Sequence, residues 1–542
     1  MGICLFIRHD LNDRAEKHFS EDQLQEIFLY DEKQPLLYVR PCSAEGSDGS
    51  KLFFFLPYSK HNWIWHVPEG LSVYIDGVPF ASGEALGEFD PETDHLYAVG
   101  TGGTFIDVRQ IAFLEAEHVA ALSMSLPPSD LDTIVNEDFP ESVETAGLFI
   151  TDVNGNADSN VSCELTGHGN STWLSSKKSF GIKTDTDISP LGMDYGSKWD
   201  LIANNMDRSH IKNRIVYEAA RRTGLEFSVD CEYLNLYING VYQGLYLLTQ
   251  KPFSSGGAVS FSDDLQKENE LLNGSLPEYP HITKEAGTKD EIKFSDISSS
   301  PDDISGSYML EFREYDKELM PHIRDNRFFS DISTDRSGNN YVLQVRYPKV
   351  ITEEEIRYIR DYVWTTEGAV YSRDGRDPSS GVDYRDRIDL YSWAMSALFM
   401  DFFAYQDESA GSLFFYKKRG KPLLYSGPIW DYDKSMTDDF VKTDDFPPDG
   451  RINMYLWFRE LERFGDFREY VVSNYKDELS PIMDEILSVD LPLWTAQIAS
   501  SEKMDDLRWM RGESYGEEHT RQVEEWLVKR KDYFDDLAGI KQ

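Results

Sequence analysis

Three carboxylates, Asp407 and the pair Asp431 and Asp433, lie in stretches whose residue types bring them together. Asp407 follows an apolar helical stretch and opens the loop Asp407-Glu408-Ser409-Ala410-Gly411-Ser412. Leu413-Phe414-Phe415-Tyr416 reads as a strand, and Lys417-Lys418-Arg419-Gly420 as a basic turn whose glycine permits a reversal. A second strand from Leu424 then runs through Gly427-Pro428-Ile429-Trp430 to Asp431 and Asp433. The hairpin therefore returns two acids to the rim from which Asp407 departs. Acids so placed suit two tasks: one accepts a hydroxyl proton, and the others hold a divalent cation. Taken singly, each reads as a solvated loop acid, so the expectation rests on the ordered set.

Protein kinases carry the same local layout for phosphoryl transfer: an Asp base, a metal ligand five residues later, a hairpin, then a metal-binding Asp. On that layout Asp407 is the base, Ser412 occupies the fifth position, and Asp431 is the metal ligand.

The elements that must position these residues are read from the rest of the chain. Residues 1–115 are expected to form a β-rich, sandwich-like accessory domain, with runs such as Lys51–Leu56 and Leu71–Ile75 parted by turns. Mixed α/β character begins at about 116. Strands are expected at Ala146–Asp152, Val161–Leu165 and Phe180–Lys183, followed by a helix with Asp207 as N-cap and Gly224 as terminator, then the hairpin Tyr233–Ile238 and Tyr242–Leu248. Residues 254–305, rich in Ser, Asp, Glu and Gly, read as a mobile insertion. Strands return near Tyr308 and Tyr341, Thr352-Glu353-Glu354-Glu355 reads as a capped helix start, and Arg385–Phe403 as a buried helix. From Ile452 onwards the chain reads as mainly helical. The fold class expected is α+β: an accessory domain, an amino-terminal lobe over 116–253, and a largely helical carboxy-terminal lobe over 306–542.

At 542 residues the chain exceeds one ordinary core. Its formal charge of −42 disfavours nucleic acid and anionic lipid as partners and requires any nucleotide site to be a local island of cations. Cys4, Cys42, Cys163 and Cys231 have no zinc-type spacing. No apolar run reaches the ~18 residues a membrane helix needs. Met1–Phe6 is too short for a signal core, so the chain as written is expected in the cytoplasm, and at a spore coat or cell surface if an export segment precedes it.

Four ordered blocks resemble the CotH (spore-coat protein H) kinase family. They are Gly167-His168-Gly169-Asn170-Ser171-Thr172-Trp173 followed by Lys177-Lys178-Ser179-Phe180-Gly181-Ile182-Lys183; Lys198–Asn205 through Asp207 and Asn213; Leu236–Tyr246; and Pro428–Asp433. The resemblance spans roughly 118 to 540. It implies an atypical protein-kinase-like bilobal fold that transfers phosphate from ATP, with Mg or Mn, to Ser or Thr of a partner protein.

Carried over by position, Asp407 is the base, Asp431 the metal ligand and Asp433 its support. Lys183 pairs with ATP phosphates, and Glu218 holds Lys183. Backbone N–H groups around Gly167, Gly169, Asn170 and Ser171 cover the phosphates. The chain departs from the family where His168 replaces Arg, Gln250 replaces Glu, and Ser412 stands for the metal-binding Asn. A hydroxyl is shorter than an amide and a poorer ligand, so the alternative expectation is a pseudokinase or scaffold. The substrate and the oligomeric state are not legible.

Overall fold

The computed structural model describes residues 24, 26–57, 62–90, 93–102, 104–137, 142–169, 171–252, 257–259, 261, 264–274, 281–315, 326–405, 411–436, 448–450, 456–509 and 515–540. They form a mixed α+β protein in two compact units. The first comprises residues 1–210, 231–249 and 492–520, and the second 211–230, 250–491 and 521–542.

The first unit is built around a closed seven-stranded barrel. Around the barrel run strands Val143–Thr151, Ala157–His168, Ser179–Ile188, Gly196–Ile202, Val241–Gln250, Cys231–Ile238 and Ala120–Ser125. The last two pair in parallel. Alternate residues fill the interior, among them Leu122, Met124, Leu148, Ile150, Leu165, Phe180, Ile182, Trp199, Leu201, Leu234 and Leu236. This is the period of two that a strand imposes, and closure leaves the barrel with no exposed edge.

The amino-terminal strands make two smaller sheets. One is three-stranded. The other is five-stranded and contains a parallel pair, Lys51–Leu56 with Thr104–Glu115. Their apolar residues, with Phe54, Trp65, Tyr97 and Phe113 at the centre, share one core with Tyr237 and Tyr242 of the barrel and with Met504. Phe55 lies 4.8 Å from Tyr242, ring centre to ring centre. The accessory strands are thus packed through a core continuous with the barrel, because aromatics of the hairpin Cys231–Ile238/Val241–Gln250 also point outwards.

Helix Leu491–Arg508 contributes a buried ion pair to this unit. Asp505 meets the Lys177 ammonium at 2.7 Å, both side chains being at most 1% exposed. Lys177 also donates to the Leu245 carbonyl, and the Leu245 N–H donates to Asp505. Gly244 leaves the room for this: at φ +120°, a β-carbon there would lie 2.1 Å from Asp505 Oδ1.

The second unit holds a seven-stranded sheet in the order His281–Lys284, Ile292–Ser295, Asn326–Thr334, Asn340–Tyr347, Tyr308–Arg313, Leu413–Lys417, Leu424–Ser426. Residues 254–305 therefore carry structure of their own: helix Leu265–Asn273 and the two strands at the end of this sheet. Sequence composition underrates them because a sheet can recruit short strands whose stability comes from their neighbours. Helix Glu353–Tyr371 starts on the expected capping box of Thr352 and Glu355. Burial pushes the Glu355 carboxyl up to about 7.

Helix Leu390–Phe402 is buried on nearly all faces, as its composition predicts. Asp389 caps it, accepting from the Ser392 N–H. At its other end the buried Arg530 guanidinium donates to the Asp401 and Phe402 carbonyls and to the Asp401 carboxylate, so a cation closes the negative end of the helix dipole. Among the described residues, no helix is long and apolar enough to cross a membrane.

Candidate active site

The expected hairpin is present. Leu413–Lys417 pairs antiparallel with Leu424–Ser426 in the register Phe415 with Ser426, Tyr416 with Tyr425 and Lys417 with Leu424. Gly420 at φ +65° makes the reversal. Helix Leu390–Phe402 holds the return strand: Trp393 Nε1 donates to the Leu424 carbonyl at 2.9 Å, and the Ser426 N–H donates to Ser392 Oγ at 3.1 Å. At the turn, Lys417 is nearly buried and donates to the carbonyls of Ser305 and Lys421. Burial pushes its ammonium down to about 8.

At the open end of the hairpin, Ser412 and Asp431 meet. The Ser412 hydroxyl donates to Asp431 Oδ2 at 2.9 Å. Both residues have left-handed backbones, φ +64° and +65°. Such a conformation is disfavoured for residues with a β-carbon and persists where surrounding contacts impose it, commonly at functional sites.

For Asp431 those contacts come from helix Lys212–Arg222. Its Tyr217 ring stacks on Trp430 with centroids 5.4 Å apart and planes 6° apart, and its hydroxyl accepts from the Asp431 N–H at 3.3 Å. Asn213 Oδ1 accepts from the Tyr432 N–H at 2.8 Å, and the buried Lys212 ammonium donates to the Asp433 carbonyl at 3.3 Å. Three successive residues of the acidic loop are thus held by one helix. Asp433 itself is 8% exposed.

The remaining expected residues stand as follows. Asp407 and Asn170 lie outside the described residues. Ser171 opens a short 3-10 helix, Ser171–Leu174. Gly167 is a strand residue opposite Phe180. Gly169 has φ +98°, and a β-carbon there would sit 2.3 Å from Thr172 Oγ1, so this turn demands glycine.

Lys183 is on the outer face of the barrel, 53% exposed, paired with Glu164 at 3.0 Å. Its neighbours Phe180 and Ile182 fill the barrel interior, and the alternation of a strand turns Lys183 the other way. Glu218 is held by Arg222, one turn further along its helix, at 2.8 Å. His168 pairs with the buried Asp200 at 3.3 Å, and Gln250 accepts from the Asp230 N–H. The helix expected from Asp207 begins at Lys212, because Asp207 spends its carboxylate on Ser209.

Sequence reasoning missed Lys212 and Tyr217 as holders of the acidic loop. Their signal is present, since 213 and 217 are one helical turn apart beside the family-like Asn213, but their partners lie more than 200 residues away.

Two adjacent oxygen donors, a hydroxyl and a carboxylate, suit a hard divalent cation that takes its other ligands from phosphate and water. Among the described residues, no group of three or more His, Cys, Asp or Glu side chains is arranged to hold a metal by itself.

The fold is mixed α+β, with the acidic end of a hairpin held by one helix. The family model described as CotH kinase protein matches residues 165–534, more than half of the chain, and the chain belongs to that family. At the family level it is a kinase-like enzyme. No curated protein matches the chain.

Ser412→Asn is expected to keep the fold, because Asn tolerates the left-handed region better than Ser. If Ser412 faces a cation in ATP turnover, the carbonyl this adds should lower the Mg concentration needed for half-maximal turnover by about tenfold. A Mg titration of turnover measures this, and an unchanged requirement removes Ser412 from the metal site.

Proposed function

We propose that this protein transfers the γ-phosphoryl group of ATP to a Ser or Thr hydroxyl of a partner protein, using Mg or Mn, on a kinase-like bilobal fold. The observation that carries this reading is the Ser412–Asp431 pair, held in strained backbone at the open end of the hairpin. Asp407 accepts the proton of the acceptor hydroxyl as its oxygen bonds to phosphorus and ADP leaves. Asp431 and Ser412 would hold the cation, with Asp433 in support. Bound there, the cation would neutralise charge on the phosphates. The phosphate-facing set of the same proposal is Gly167, Gly169, Asn170, Ser171 and Lys183, with Glu218 behind Lys183. It requires Lys183 to exchange Glu164, and Glu218 to exchange Arg222, for these new partners.

The test is incorporation of labelled phosphate from ATP into protein. Transfer is expected with Mg or Mn and none with chelator. A second reading, a scaffold that keeps the fold without chemistry, is favoured by one observation: Ser412 stands where the resemblance implies Asn. A ligand that binds only folded protein raises the melting temperature, so no rise with ATP and either metal, together with no transfer, would select the scaffold.

A further inference from the structure

We propose, on the reading that Ser412 and Asp431 face a cation, that Glu311 is a positioning residue that sets the Ser412 hydroxyl for it. Glu311 lies in strand Tyr308–Arg313, between Phe414 of the hairpin and Gln344 of strand Asn340–Tyr347. It is 3% exposed. Its Oε1 accepts from the Ser412 N–H at 3.2 Å. The guanidinium groups of Arg313 and Arg346 each lie 3.3 Å from its carboxylate and offset the cost of burying that charge.

Ser412 is therefore held at both ends. Its N–H is committed to Glu311 and its hydroxyl proton to Asp431, which leaves the lone pairs of Oγ for a cation. This answers the shortness of a serine. An Asn side chain reaches a cation by its own length, whereas a hydroxyl must be carried there by the backbone, and the backbone conformation that does so is one serine adopts reluctantly. Glu311 supplies the bond that holds it. Without Glu311, the Ser412 backbone loses its buried acceptor and relaxes, and the hydroxyl leaves Asp431.

The experiment is Mn2+ binding by the full chain with a non-hydrolysable ATP analogue, read from the electron paramagnetic resonance signal of free Mn2+. Glu311→Ala is expected to weaken Mn2+ binding at least about tenfold. Glu311→Gln, which keeps an acceptor for the Ser412 N–H, should return it to within about threefold of the parent. Arg313→Gln, which disturbs the ion pair alone, should leave it there too. Should Glu311→Ala fail to fold, Glu311→Asp is read instead: it keeps the charge, draws the acceptor back by one carbon, and should weaken Mn2+ at least about threefold. The inference is overturned if Glu311→Ala or Glu311→Asp binds as the parent does, or if Glu311→Gln is as weak as Glu311→Ala. A parent that binds no Mn2+ overturns the phosphoryl-transfer reading with it. Normal parent binding with indifferent Glu311 variants overturns the positioning role alone.

Discussion

Asp431→Asn is expected to lower phosphoryl transfer at least about 10^2-fold while leaving the fold unchanged. Among residues with a β-carbon, Asn is one of those most at ease with the φ of +65° found here, and its carbonyl still accepts from the Ser412 hydroxyl. The Tyr217, Asn213 and Lys212 bonds run to backbone atoms or, for Tyr217, also to the Trp430 ring, so the substitution leaves them in place. On the proposed reading, what is lost is one negative charge facing the cation. The loss should appear in the metal dependence as well as in the maximal rate, whereas Asp407→Ala, which on the same reading removes the proton acceptor, should depress the rate at saturating metal. Rate measurements over a Mg or Mn titration separate the two. An Asp431→Asn protein as active as the parent would remove this carboxylate from the chemistry.

Raising the pH from about 5 to about 8.5 is expected to destabilise the first unit, and Glu502→Gln to abolish most of that loss. Glu502, on helix Leu491–Arg508, is 7% exposed, and among the described residues its Oε1 has no hydrogen-bond partner. Burial first, and then the negative charges of Asp506, Asp505, Asp207 and Glu517, push its carboxyl up to about 8. The unfolded chain releases this proton near 4.5 and the folded chain near 8, so between those values the folded state holds a proton that the unfolded state has given up. The contribution to stability is therefore complete below about 4.5 and is lost as pH rises through about 8. At ~1.4 kcal/mol per unit, the full swing is on the order of 5 kcal/mol. Lys177 and His210 face the same cluster through Asp505. Glutamine keeps the shape of the protonated acid and never ionises. Urea midpoints of the two proteins should agree near pH 5 and diverge at pH 8.5 in favour of Glu502→Gln. Parallel pH profiles would show that Glu502 is ionised throughout.

The hairpin was legible in the residues because every signal for it is local. Leu413–Tyr416 is a β-forming run, Gly420 permits the reversal, and the strands need only each other to set their register. The capping box at Thr352 and the buried character of Leu390–Phe402 are local in the same sense. The outward aim of Lys183 was also legible, from the alternation of Phe180, Ile182 and Lys183. A kinase-like order of elements argues for a lysine on that strand, and the period of two argues against its facing the barrel interior.

By itself, then, the sequence determined the acids, the strand pair that carries them, the alternation within each barrel strand, and membership of the family through four ordered blocks. Only the tertiary structure decided that the strands near residues 120 and 235 close the barrel by a parallel pairing, that Asn213 and Lys212 hold the backbone after Trp430, and that Glu311 receives the N–H of Ser412. The reason is physical. Local conformation follows from sterics and hydrogen bonds within a few residues, whereas these contacts join positions 100 to more than 200 residues apart and exist only once packing has met the entropy of closing the chain between them.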